Sequence, residues 1–163
     1  MKIYSTLLTI ILFTSLVSSA QNHDHDEGHQ HHEIHKNEIG MANSLVYQLK
    51  SEVFSYGIHL HYVRAIKQTR FGAGLAYERI FDEHGHNTFG VVGSYRPKEM
   101  WIIAVSPGIT FEDHHREEVG LALHIETNYE FEINSLHIGP LIEFAIDPED
   151  YHISLGLHIG FGW

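Results

Sequence analysis

The chain has 163 residues, no cysteine, 21 acidic against 10 basic residues, and a formal net charge of −11 with histidines neutral. A length of this order holds one domain. The acidic balance excludes nucleic acid as a partner, because phosphate binding requires a basic surface, and leaves divalent cations compatible.

The first twenty residues, MKIYSTLLTIILFTSLVSSA, carry a lone Lys2, an apolar run from Leu7 to Val17, and small residues at Ser18 and Ala20. This is the pattern of a secretory signal with cleavage after Ala20, and the lack of a cysteine at the junction argues against a lipid anchor. A retained membrane helix is disfavoured because the run is short and interrupted by Thr9, Thr14 and Ser15. Loss of Lys2 with the signal takes the net charge from −11 to −12. The mature chain therefore leaves the cytosol.

Residues 21–37, QNHDHDEGHQHHEIHKN, hold six of the sixteen histidines (His23, His25, His29, His31, His32 and His35) and almost nothing fit for a core. We read a disordered, solvated segment. Two readings of its chemistry stay open. Imidazole and carboxylate at this density suit zinc, copper or nickel; alternatively the segment is a soluble spacer that holds metal weakly.

From Glu38 onward the hydrophobic period is two. The segments, in order, are GMANSLVYQL (the weakest), VFSYGIHLHYV, FGAGLAYERIF, NTFGVVGSYR, MWIIAVSPGITFE, EEVGLALHIETNYEFEI, LHIGPLIEFAID and YHISLGLHIGFGW, which predicts eight strands. In the last, every odd position from Tyr151 to Trp163 is apolar and every even one is His, Ser or Gly. Alternation alone does not say which face is inside, since a soluble lipocalin-like barrel would bury the apolar one. Glycines decide it. Gly57, Gly72, Gly74, Gly90, Gly108, Gly120, Gly139, Gly156, Gly160 and Gly162 all share the polar face. A solvated strand surface has no use for so many strand-weakening residues, whereas the crowded lumen of a small barrel requires them. The apolar face then meets lipid. The predicted fold is all-β: an eight-stranded antiparallel up-and-down transmembrane β-barrel over 38–163, behind a signal (1–20) and the His-rich segment (21–37).

Aromatic placement agrees. Tyr62, Phe71, Tyr95, Trp101, Phe161 and Trp163 gather at one set of strand ends, and Tyr47, Phe54, Phe81, Phe89, Phe111, Phe144 and Tyr151 at the other, as two interfacial girdles require. Pro107 and Pro140 fall inside strands, beside glycines, and predict bulges. Arg79 falls on the lipid face near a strand end, from which it would snorkel to headgroups.

The terminal run Leu155, Leu157, Ile159, Phe161, Trp163 resembles the C-terminal strand signature of bacterial outer-membrane barrels, and residues 38–163 resemble the small OmpA- and OmpX-like class in architecture. The resemblance implies insertion by the barrel-assembly machinery, contact with outer-membrane lipid and lipopolysaccharide, and a periplasmic N-terminal segment. It implies little about activity.

With both termini periplasmic, the external loops lie near 50–52, 83–87, 113–117 and 147–150, and the basic residues Arg64, Lys67, Arg70, Arg96 and Lys98 line the opposite rim. The mouth is acidic and histidine-bearing. Either these loops are simply solvated, or Asp82, His84, His86, Asp113, His114 and His115 capture cations there.

Parity turns His59, His61, Glu78, Arg96, Thr110, His124, Glu126, Asn128, Glu130, Glu132, His137, Glu143, His152, Ser154 and His158 inward. If Asn134-Ser135 is a two-residue turn, Ile133 pairs with Leu136 and Glu126 lies opposite Glu143; the next turn sets Glu143 opposite Ser154. Two neighbouring carboxylates cannot both stay ionised cheaply, so a proton or a cation must sit with them. His59-x-His61 with Glu126 and Glu143 makes a candidate metal site, and a fully hydrogen-bonded polar plug is the other reading. An eight-stranded lumen is too tight for an open pore. His152, Ser154 and Glu143 are similar to the residue set of outer-membrane lipid A deacylases, but they face the lumen rather than lipid, so no enzyme is expected.

Overall fold

The computed structural model describes residues 35–67, 69–113 and 118–163. The signal, most of the His-rich segment, and His114 and His115 lie outside them.

Among the described residues all regular structure is strand: β1 (Asn37–Gln48), β2 (Val53–Ala65), β3 (Phe71–Phe81), β4 (His86–Lys98), β5 (Trp101–Glu112), β6 (Gly120–Tyr129), β7 (Phe131–Ile133), β8 (Leu136–Ile146) and β9 (Tyr151–Gly162). Strands β1 to β6 pair antiparallel in chain order, β7 and β6 both pair with β8, β8 pairs with β9, and β9 pairs with β1. The sheet closes on itself. Because β6 and β7 run as one strand along β8, the barrel has eight staves, as the sequence period predicts. Asn37 and Trp163 exchange both backbone bonds at 3.0 and 2.9 Å, so the last residue completes the closing ladder. Closure removes the unpaired edges that a hydrocarbon environment would penalise.

The outward face is apolar. Leu45, Phe54, Leu75, Val91, Ile109, Leu121, Ile133 and Leu155 all project from the barrel with half or more of their surface exposed or close to it. The two girdles form, with ring pairs Phe71–Tyr95 and Tyr62–Trp163 at the terminal end and Tyr47–Phe54 and Phe89–Phe111 at the loop end. Outward polar groups are satisfied locally. Trp101 Nε1 donates to Thr127 Oγ1 at 2.6 Å, and that hydroxyl donates to the Ile102 carbonyl at 2.9 Å. Asn43, which blurs the alternation of β1, accepts from the Tyr56 hydroxyl.

The prolines do not make the expected bulges. Pro107 stays in register with Leu123, and Pro140 with Leu157, because both side chains point outward and each missing N–H costs only ladder bonds on one side. Opposite Pro140 the β8 ladder pauses between Asn128↔Leu141 and Phe131↔Ile138, which is what divides β6 from β7; the Glu130 amide donates instead to Met100. The one register shift in the β4–β5 ladder lies between Tyr95 and Lys98, around Pro97. Arg79, near the loop end of β3, makes a bidentate pair with Asp113 at 2.9 and 2.6 Å, a partner that strand parity does not supply.

Leu75 sits mid-strand on the outer face, 63 % exposed. Leu75→Arg is expected to destabilise the barrel by about 2–4 kcal/mol, as for a cation placed at mid-bilayer, while Leu75→Ile changes it little. Urea unfolding in lipid vesicles measures the difference.

Candidate functional site

The interior is a packed lattice of histidines and carboxylates. Every sequence-predicted inward residue faces the lumen, and His158, Glu143 and Ser154 are among the most deeply buried side chains in the barrel. The hairpin argument holds to the residue: Ile133 pairs with Leu136, Glu126 with Glu143, and Glu143 with Ser154, with Asn134 in the left-handed region at φ 58°.

Four groups can be followed from the loop end downward. At the mouth, His86 Nδ1 meets Asp82 Oδ2 at 2.6 Å and its Nε2 meets Glu149 at 3.1 Å. Asp82 also accepts from Gln48 and from the Gly85 amide, which the left-handed Gly85 presents. His86 lies beyond the Phe89 girdle, clear of the spanning part of β4. His84 is mostly exposed, 3.7 Å from Glu112.

The second group joins opposite walls. Glu78 on β3, His124 on β6, Glu143 on β8 and His152 on β9 bring one ligand atom each to within 4.8 Å of all the others. His124 Nδ1 lies 3.4 Å from Glu78 Oε2 and 3.4 Å from Glu143 Oε2; His152 Nε2 lies 3.9 and 3.8 Å from the same two carboxylates. A four-coordinate ion with bonds of about 2.0–2.2 Å has ligand-to-ligand edges of roughly 3.3–3.6 Å. Glu78 Oε2, Glu143 Oε2 and His152 Nε2 have no hydrogen-bond partner, although all three residues are at most 4 % exposed. Buried polar atoms of this kind are expected to be paired, so the set fits a borderline divalent ion.

The third group is part of the sequence-predicted site. His59 Nδ1 stands 3.1 Å from Glu126 and 3.5 Å from Glu143. His61 does not join it. Its ring, 5.7 Å from that of His59, faces Glu38 at 3.6 Å and stacks on His158 at 5.0 Å. Gly40 makes room for this stack, since a Cβ there would collide with both rings.

At the terminal end Arg96 donates to Glu38 at 2.6 Å and Glu130 at 3.1 Å, and His137 approaches the same two carboxylates at 3.5 and 3.3 Å. His35, the last histidine of the His-rich tract, lies 3.4 Å from Glu132 and beside the His137 ring. Sequence reasoning missed Glu38 as an inward acid. It shares parity with Gly40, Ala42 and Ser44, but the alternation becomes legible only from Gly40 onward. Glu78, His124 and His152 were placed inward but not assembled, because contacts across a lumen do not follow from neighbouring-strand register.

No family model matches the chain, and no curated protein does. Solved structures match at low identity. Neisserial surface protein A aligns with TM-score 0.58, 7% identity, 78% of this chain and 96% of that one. Yersinia pestis outer membrane protein Ail, in a phospholipid nanodisc, gives 0.53, 11%, 78% and 99%, and a de novo designed transmembrane β-barrel gives 0.55, 10%, 76% and 94%. The fold is that of the small transmembrane β-barrels.

Two predictions follow from this geometry. Arg96→Gln leaves two buried carboxylates without their fixed cation and is expected to cost about 3–5 kcal/mol, read as a lower temperature for the heat-induced gel shift of the folded barrel. At the mouth, the bond to Asp82 raises the His86 ring to about 9 against its burial, with Glu149 adding to it. Burial alone would lift the Asp82 carboxyl, but bonds from His86, Gln48 and Gly85 hold it well below the usual range. Since the folded His86 value lies above the ordinary 6.5, its contribution to stability is complete below 6.5 and is lost as pH rises through about 9. NMR titration of the His86 ring should find its midpoint there, and Asp82→Asn should move it down toward 6.5.

Proposed function

We propose that this chain is an integral barrel of the bacterial outer membrane, its N-terminal segment in the periplasm, which binds divalent transition-metal ions such as zinc, copper or nickel in its lumen. The membrane assignment rests on the apolar outer face, the paired aromatic girdles, the terminal strand signature and the fold shared with outer-membrane proteins. In that setting its neighbours are outer-membrane lipid and lipopolysaccharide, and the barrel-assembly machinery inserts it.

The metal assignment is carried by one observation: the Glu78–His124–Glu143–His152 set converges two imidazoles and two carboxylates at ligand spacing, with buried ligand atoms that make no hydrogen bond. Imidazole and carboxylate together suit borderline first-row ions. His59 and Glu126 flank it through the shared Glu143. The His-rich tract, whose own structure lies outside the described residues apart from 35–37, supplies further ligands of the same type.

A second reading, a structural or surface-interaction barrel with a polar plug and no metal role, draws on the Arg96 clamp, which compensates two lumen acids without any ion. A lipid-deacylating reading is weaker. Ser154 Oγ donates to Glu143 Oε1 at 3.2 Å and is 1 % exposed in the lumen, away from the lipid-facing surface.

Metal analysis of the detergent-folded barrel separates the first two readings. Truncation should stop at residue 34, because His35 belongs to the lumen's terminal end and β1 begins at Asn37. The chain lacking 21–34 is expected to keep one ion, and Glu143→Gln with His124→Gln to weaken its binding by at least about tenfold, as losses around metal centres do. Metal that departs with the tail, or an unchanged affinity in the double variant, would give the lumen to the structural reading.

A further inference from the structure

The candidate sites overlap. Glu143 belongs both to the Glu78–His124–His152 set and to the His59–Glu126 set; Glu38 belongs both to the His61–His158 set and to the Glu130–His137 set; His137 belongs also to the set with His35 and Glu132. The gap between the upper pair and the lower three is spanned by His59 and His61, two residues apart on one strand with rings 5.7 Å apart. Ligand groups therefore run from the loop end to the terminal end, sharing members at all but one step.

Each end of the described barrel carries a pocket. A vestibule of about 320 Å³ at the loop end is lined by His84, His86, Asp147 and Glu149 and reaches His152. A shallow pocket at the other end is lined by His35, Glu38 and Arg96. Along the interval, buried atoms without a hydrogen bond recur on each set: Glu126 Oε2, both ring nitrogens of His158, and both of His137, on residues 7 %, 0 % and 5 % exposed, with carboxylates and imidazoles facing one another at 3.0–3.5 Å. A plug built only for stability would align these groups into hydrogen bonds.

From this arrangement we propose that the lumen passes a divalent transition-metal ion across the membrane by ligand exchange, the ion moving from one set to the next through the residue the two share and, at the one step without a shared residue, from His59 to His61. The proposal rests on the reading of the lumen as metal-binding and extends it from holding an ion to conducting one. The ion stays coordinated throughout, so no water-filled pore is needed in a lumen this narrow. Where sets overlap, a transfer changes some ligands and not all, which keeps intermediate states from being stripped of donors; at the remaining step the His59 and His61 rings stand 5.7 Å apart. Near the terminal end the ion meets Arg96 and must take over the carboxylates of Glu38 and Glu130 that the guanidinium holds. That step is the slow one.

The test uses the mature chain in vesicles that enclose a zinc-responsive dye, with Zn²⁺ added outside, alongside equilibrium dialysis of Zn²⁺ on the same protein. Glu38→Gln removes the residue shared by two lower sets and leaves the upper four-residue set intact. The expected result is Zn²⁺ entry at least about tenfold faster than in protein-free vesicles, with Glu38→Gln retaining the upper ion but losing about tenfold in rate, the scale of loss seen on removing groups around a metal. Should Glu38→Gln not fold, His61→Asn interrupts the same set. Binding without entry overturns passage and leaves the binding reading standing; absence of both overturns both. Entry unchanged in the variants, or equal entry of an enclosed-volume marker such as sucrose, would show an open leak and overturn stepwise transfer.

Discussion

The barrel depends on a sheet that has no edge. In hydrocarbon each unpaired backbone N–H or C=O costs several kcal/mol, so a strand protein can reside there only if its first and last strands join. Here that joint is the β1–β9 ladder, completed by the reciprocal bonds of Asn37 and Trp163. Once it is made, the period of two divides the side chains without exception of principle: one set to lipid, the other to a narrow interior. Pro107 and Pro140 show how firmly the register is held, since each deletes a donor and neither shifts the strand that carries it.

Closure then poses a second problem, that of charge. Glu38, Glu78, Glu126, Glu130 and Glu143 are all buried, and the fixed cation near them is Arg96 at one end. Histidines occupy the remaining volume, each within ion-pair distance of a carboxylate, as His124 is of Glu78 and Glu143, and His158 of Glu130. A lattice of imidazole and carboxylate can be neutralised by protons or by a borderline metal ion, and the two compete for the same lone pairs. That competition is why one interior fits both a plug and the proposed string of metal sites, and why metal content rather than shape distinguishes the two.

Much of this was legible in the residues. Parity placed the lumen histidines, the two aromatic girdles and the lipid face, because a strand's side chains alternate whatever its neighbours do. The Asn134-Ser135 turn set the β7–β8 register, and with it the facing of Glu126 and Glu143, because a two-residue hairpin admits only one pairing. Glu38 escaped since alternation in β1 is blurred by Asn43 and the strand's first turn of pleat reads as tail. Parity places Arg79 on the outer face but does not supply its pairing with Asp113, which lies on a loop whose position no local pattern encodes.

The sequence by itself determined an eight-stave barrel with an apolar exterior and a titratable interior, since period, turn length and glycine placement are properties of single strands and adjacent pairs. The tertiary structure alone decided which interior groups meet. Glu78 reaches His124, and His59 reaches Glu126, across the full width of the lumen, between strands that share no ladder. Such contacts depend on how far the sheet is staggered when it closes, a quantity summed over all eight strand pairings and visible in none of them singly.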